Sequence, residues 1–206
     1  EVFRATLVGD DGSRRDVAVK RILKQLMRDG DLRQMFKAEA RLAQCLRHPN
    51  IVAVHELGES ADGEFFIVMD LAEGCDLAEL LAVLRKHGQY MSADLAAYVA
   101  VELLAALAYA HGANGVDGQP LNLVHRDVSP HNVVLGPDGR VRLTDFGVAK
   151  VAQSSHLTMA GVVKGKLGYM SPEQARARPL DARSDLYNVG ILLYEMISGQ
   201  RLFIGT

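Results

Sequence analysis

The spacing of apolar residues changes once along this chain, near Gly74, and that change limits the fold more than any other feature. Before it, short apolar runs alternate with turn clusters. Residues 2–8 alternate loosely, Gly9-Asp10-Asp11-Gly12-Ser13 supplies a turn, and Val17-Ala18-Val19 resumes, which predicts a hairpin. Residues 32–46 carry Leu32, Met35, Phe36, Leu42, Ala43 and Leu46 at helical spacing. His48-Pro49-Asn50 ends that helix, because a residue before proline is driven out of the helical region. Residues 51–57 and 64–69 predict a second strand pair around Ala61-Asp62-Gly63. After Gly74 helices dominate, over 77–87, 93–110 (with Ser92 as N-cap) and 185–198, the last buried nearly all round. Between them lie a glycine-containing loop at 114–120, a short hairpin (133–135 and 141–143) around Pro137-Asp138-Gly139, and a long exposed loop at 153–168. Strands with one helix, then mostly helices, predict an α+β chain of two lobes joined near residues 70–74.

Charge and cysteine usage exclude several classes. Lys plus Arg number 23 and Asp plus Glu 25, a formal charge of -2, which argues against a basic nucleic-acid-binding domain. Cys45 and Cys75 form neither a CxxC pair nor a disulfide framework, so both are read as small buried side chains in a reducing compartment. Residues 95–110 and 189–197 are apolar except for Glu102 and Glu195; both stretches fall short of the roughly 20 residues that cross a bilayer and are read as buried core helices. No signal peptide opens the chain, and the expected location is the cytoplasm. A start at Glu1 and a stop at Thr206, shortly after an apolar helix, are read as cuts at both ends.

Four short motifs stand in order: Val17-Ala18-Val19-Lys20, His125-Arg126-Asp127 with Asn132, Asp145-Phe146-Gly147, and Ser171-Pro172-Glu173. In this order and spacing they resemble the signature of the eukaryotic-type protein kinase family over essentially the whole chain, and HRDVSPHN and GYMSPEQ look like its bacterial members. The resemblance implies a two-lobed kinase-like fold, truncated at both ends, with a partial small lobe at 1–72 and a partial large lobe at 73–206. It implies transfer of the γ-phosphoryl group of ATP, with Mg2+, to serine or threonine hydroxyls of a protein substrate.

Phosphoryl transfer spreads negative charge over phosphate oxygens, so catalysis rests on positioning and charge neutralisation. By resemblance, Lys20 binds the α- and β-phosphates and Glu39 pairs with it from the helix; Glu39 also reads as a plain exposed helix residue. Asp127 accepts or orients the substrate hydroxyl proton, and Asn132 and Asp145 hold magnesium through hard oxygen ligands. His125 is implied to be a packed support residue rather than a base, while His87, His111 and His156 are read as surface or loop residues. For adenine, Val2 and Ala18 resemble the roof, Val134 the floor and Met69 the gatekeeper; the carbonyl of Asp70 and N–H of Ala72 would bond the base edge, and Asp76 the ribose.

The chain departs from the family's pattern in three ways. Of the glycine-rich loop only the last strand, Glu1-Val2-Phe3, is present, which predicts weak nucleotide binding. Ser129 stands two residues after Asp127, where serine/threonine kinases usually carry lysine, and Lys166 follows Gly165 where they usually carry threonine. A charge swap, with Lys166 supplying the ammonium near Asp127, accounts for both. Glu173 matches a glutamate whose arginine partner would lie beyond Thr206, and losing a buried partner typically costs about 3–5 kcal/mol. Asp185 is read as an anchor of the catalytic-loop backbone. Arg126 beside Asp127 suggests control by phosphate on the 145–173 loop, at Ser154, Ser155 or Thr158. Two other readings stand beside this one: a pseudokinase acting as a binding or scaffold module, and a small-molecule phosphotransferase of similar fold.

Overall fold

The computed structural model describes residues 1–21, 30–115, 118–146 and 167–203, without the side chains of residues 30–33, 35, 36 and 39. An antiparallel four-stranded sheet in the order β1-β2-β4-β3 forms the first lobe, from β1 (Val2–Val8), β2 (Arg14–Arg21), β3 (Val54–Glu59) and β4 (Phe65–Asp70). Helix α1 (Gly30–Ala43) packs on β3. Ala18, Ala40, Ala43, Val52, Val54, Phe65, Ile67 and Met69 make this lobe's core. Small residues on the α1 face let the helix lie close to the sheet.

The second lobe is built on helices α2 (Leu77–Lys86), α3 (Ala93–His111), α4 (Pro172–Ala175) and α5 (Ala182–Ser198). A three-stranded sheet, β5-β6-β7, lies beside them, from β5 (Cys75–Asp76), β6 (Val133–Leu135) and β7 (Val141–Leu143). Ser92 caps α3 by accepting from the Leu95 N–H, as its position before the apolar run predicts. Gly74 joins the lobes at φ 137, and a Cβ there would run into the Leu135 carbonyl, so the entry into β5 requires glycine.

The connection after α1 stitches the lobes together. Leu46 and Ile51 are buried in the second lobe's core rather than the first's. The Val52 N–H donates to the Leu143 carbonyl (2.9 Å) and the Leu143 N–H to the Asn50 carbonyl (2.7 Å). The buried Asn50 carboxamide donates to the Val141 carbonyl (2.8 Å) and to Glu102 on α3 (2.6 Å).

Several expectations change. Helix α5 begins at Ala182, capped by Asp181, and is buried on one face only: Leu186, Tyr187, Tyr194 and Ile197 are exposed. Helix α3 likewise exposes Leu95, Val101 and Leu104. Among the described residues it is the one helix long and apolar enough to cross a membrane. Cys45 is exposed and Cys75 half-buried. Glu173 is exposed, so it carries no buried-charge penalty. Strand β5 escaped the periodicity because two residues cannot show one. The loop at 153–168 lies outside the described residues apart from its last two.

Candidate active site

Strand alternation puts Ala18 and Lys20 on one face of β2, with Lys20 opposite Val2 on β1 and Ile67 on β4. The Lys20 ammonium reaches across to the segment after β7 and meets Asp145 Oδ1 at 2.7 Å, with both side chains partly exposed. Asp145 takes φ 63 and Arg126 takes φ 65, left-handed conformations rare for residues with a Cβ. Each costs on the order of 1–3 kcal/mol and persists only where the surroundings over-determine it.

Those surroundings are visible for both residues. Asp185, fully buried at the start of α5, accepts the His125 N–H at Oδ2 (2.7 Å) and the Arg126 N–H at Oδ1 (2.8 Å). His111, at the end of α3, adds a ring contact to Oδ2 at 2.8 Å. His111 is thus a half-buried anchor and not a surface residue. The His125 ring is buried in turn. Its Nδ1 accepts the Asp127 N–H (3.1 Å), which leaves the proton on Nε2, donated to the Thr144 carbonyl (2.9 Å). Burial pushes the His125 pKa down, against the opposing pull of Asp185, so the ring is held neutral. Phe146 meets it edge-on, with ring centroids 4.5 Å apart. His125 therefore ties the 125–127 turn to the strand end that carries Asp145.

Asn132 completes the loop. Its side-chain amide donates to the Asp127 carbonyl (2.8 Å), its own carbonyl accepts the Thr144 N–H (2.9 Å), and its carboxamide oxygen remains as a further acceptor. Ser129, between Asp127 and Asn132, is buried, and its Oγ has no hydrogen-bond partner among the described residues.

The residues expected around a base and ribose fall along the junction of the lobes. Ala18 and Met69 are buried cross-strand neighbours of β2 and β4, while Val2 is exposed. Asp70 donates its N–H to the Ala53 carbonyl (2.9 Å) and its carboxylate meets His55 Nε2 at 2.6 Å. Ala72 packs against the first lobe's core. Val134, half-buried, pairs with Asp76 across β5 and β6. Asp76 has one oxygen committed to capping α2, accepting the Glu79 N–H at 2.7 Å; its other oxygen lies 3.8 Å from His131 Nδ1.

The structure thus brings Lys20 to Asp145, Asn132 to Asp127, Ala18 to Met69 and Asp76 to Val134. The Glu39 side chain, Lys166, Ser154, Ser155 and Thr158 lie outside the described residues, though the Glu39 backbone belongs to α1. One cluster went unassigned in the sequence. Glu195, buried in α5, accepts the Tyr169 hydroxyl (2.5 Å) and pairs with Arg85 of α2 (2.9 Å). Burial raises the Tyr169 pKa, and the Glu195 contact adds to the rise, so the phenol stays protonated. A lone glutamate in an apolar run was its signal.

Comparison with known proteins follows the same lines. The family model described as protein kinase domain matches residues 3–206. Among curated proteins, the chain is 42% identical over 203 residues to tyrosine-protein kinase MasK of Myxococcus xanthus, covering 98% of this chain and 31% of that protein. It is 38% identical over 195 residues to serine/threonine-protein kinase PknA of Mycobacterium tuberculosis, covering 93% and 42%. The chain therefore spans less than half the length of these relatives. The crystal structure of the Mycobacterium tuberculosis PknI kinase domain superimposes with a TM-score of 0.71 at 28% identity, covering 92% of this chain and 66% of that one.

Proposed function

The chain belongs to the protein kinase family, and from that premise we propose that it transfers the γ-phosphoryl group of ATP to a serine or threonine hydroxyl of a protein. We assign residues 1–72 to the small lobe and 73–206 to the large one. The observation that carries the reading is the Lys20–Asp145 contact, which sets a strand-borne cation against a carboxylate next to the Asp127–Asn132 loop. Serine/threonine kinases such as PknA among its relatives support the acceptor class.

The donor set fits magnesium. The Asp145 carboxylate and the Asn132 carboxamide oxygen are hard oxygen ligands, and this ion commonly takes one or two carboxylates together with phosphate oxygens. When bound, it would neutralise charge on the ATP phosphates. Lys20 holds the α- and β-phosphates, with Glu39 of α1 as its second partner. Asp127 takes the proton of the acceptor hydroxyl as that oxygen bonds phosphorus and the β–γ bridging oxygen departs with ADP. Val2, Ala18, Met69 and Val134 enclose the base, the backbone of Asp70 and Ala72 bonds its edge, and Asp76 faces the ribose. The cytoplasm is the compartment that supplies ATP to such a site.

Ser129 is short and buried, so no cation stands at that position. We assign the missing ammonium to Lys166. Lys166→Ala should then slow transfer at saturating ATP, and an unchanged rate removes the assignment.

A tyrosine acceptor is the second reading, favoured by the identity to a protein named a tyrosine kinase and by the absence of lysine at Ser129. Phosphoamino-acid analysis after transfer from γ-labelled ATP to a mixed peptide library separates the two. Phosphoserine or phosphothreonine is expected; phosphotyrosine alone would replace the first reading with the second.

A further inference from the structure

A second cleft, of about 390 Å³, opens against residues 70–72 from the side of the α1–β3 connection. Arg47, His48, Arg140 and Arg142 line it together with that joining segment, and neither Lys20, Asp127, Asn132 nor Asp145 does. We propose that this cleft binds a phosphate monoester carried on a peptide side chain.

The charge balance of the lining supports an anion. Of its two carboxylates, Asp16 is paired with Arg4 at 2.5 Å, while Asp70 shares a hydrogen bond with the His55 ring at 2.6 Å, a contact that cancels no charge when that ring is neutral. Arg140 and Arg142 share a single carboxylate, Asp138, at 3.6 and 2.6 Å. The Arg47 guanidinium donates only to the backbone carbonyls of Leu46 (2.8 Å) and Val54 (3.4 Å), and among the described residues no carboxylate lies within ion-pair distance of it. Three guanidinium groups against the Asp138 and Asp70 carboxylates leave the lining with a net positive charge.

A net positive lining favours an anion, and a phosphate monoester, at about −1.5 to −2 at neutral pH, is drawn to it more strongly than a carboxylate side chain. Guanidinium forks also suit phosphate oxygens, which accept paired, charge-assisted hydrogen bonds. The size of the cleft argues for a peptide as the carrier. The cleft, at about 390 Å³, is far wider than an ion alone needs and leaves room for a phosphorylated side chain with flanking backbone. Two of the three arginines are held in place before any ligand arrives. Arg47 is fixed by the two carbonyls, and Arg142, with its side chain only 18% exposed, by Asp138. Asp70 and Ala72 border the cleft and are also the residues assigned to the adenine edge.

The test is isothermal titration of the intact protein with a phosphothreonine peptide, its unphosphorylated twin and inorganic phosphate, all with saturating ADP to occupy the nucleotide site. The expected result is binding of the phosphopeptide at least tenfold tighter than its twin. The double variant Arg47→Ala/Arg140→Ala should lose that advantage while its melting temperature holds. Arg140→Glu, a charge reversal at an exposed side chain, should weaken binding by itself. Equal affinity for the two peptides, or unchanged binding by both variants, overturns the proposal. Inorganic phosphate binding as tightly as the phosphopeptide overturns the peptide as its source.

Discussion

Lys20 Nζ lies 2.7 Å from Asp145 Oδ1, joining an inner strand of one lobe's sheet to the segment that leaves the other lobe's hairpin. Neither side chain is fully buried, so the contact is open to exchange with a phosphate without exposing a deeply buried charge. In Lys20→Met, kcat/KM for ATP-dependent transfer should fall at least about a hundredfold, the scale of losing one preorganised charge-stabilising donor. Steady-state kinetics checks this. A loss of less than threefold would mean that Lys20 does not face the phosphates.

Asp185 holds the other side of the site. Its buried carboxylate accepts two backbone N–H groups and the His111 ring, and hydrogen bonds to a charged group contribute about 1.5–3 kcal/mol each. Asp185→Asn should lower the unfolding free energy by about 3 kcal/mol. The denaturant midpoint of the variant checks it, and a shift under about 0.5 kcal/mol, the range of ordinary surface substitutions, would show that the 125–126 backbone is held by something else.

His125 sets a pH dependence whose sign is fixed by burial. Its folded pKa lies below the ordinary value, whereas in the unfolded chain it titrates near about 6.5. The unfolded state therefore binds more protons below that pH, so stability is complete above about pH 6.5 and declines as the pH falls toward the folded pKa. The slope from this one group approaches about 1.4 kcal/mol per pH unit. Urea midpoints at pH 7.5, 6.5 and 5.5 should decline in the parent and decline less steeply in His125→Gln. Parallel slopes would contradict the account.

Much of this was legible in the sequence because period and punctuation coincide with elements. The alternation of β1, the Ser92 cap and the Pro137-Asp138-Gly139 turn are local features, and each element stands where they place it. What stayed hidden depends on distance. His111 is an unremarkable polar residue at a helix end until folding brings it to Asp185, 74 positions away. Asn50 ends a helix in the sequence and becomes a buried stitch to Val141, 91 positions on. The exposed faces of α3 and α5 ran against expectation because an apolar run reports hydrophobicity and not which side meets a neighbour. The Lys20–Asp145 contact lies between these cases: both residues stood in motifs, but only the fold brings the two together.

The central claim is phosphoryl transfer with Asp127 as the proton acceptor. The most direct measurement is transfer of the γ-phosphate from labelled ATP with magnesium to protein and peptide acceptors, by the intact protein and its Asp127→Asn variant. Asp127 lies in a loop held through its backbone by His125 and Asn132, so the variant should fold and bind ATP as the parent does. The account predicts label on acceptor hydroxyls with the parent and a loss of at least about a hundredfold with the variant, the lower range for a positioned acid–base group. Equal transfer by both would contradict the role of Asp127. No transfer by either, with ATP bound, would contradict the enzyme itself and leave a kinase-like binding module.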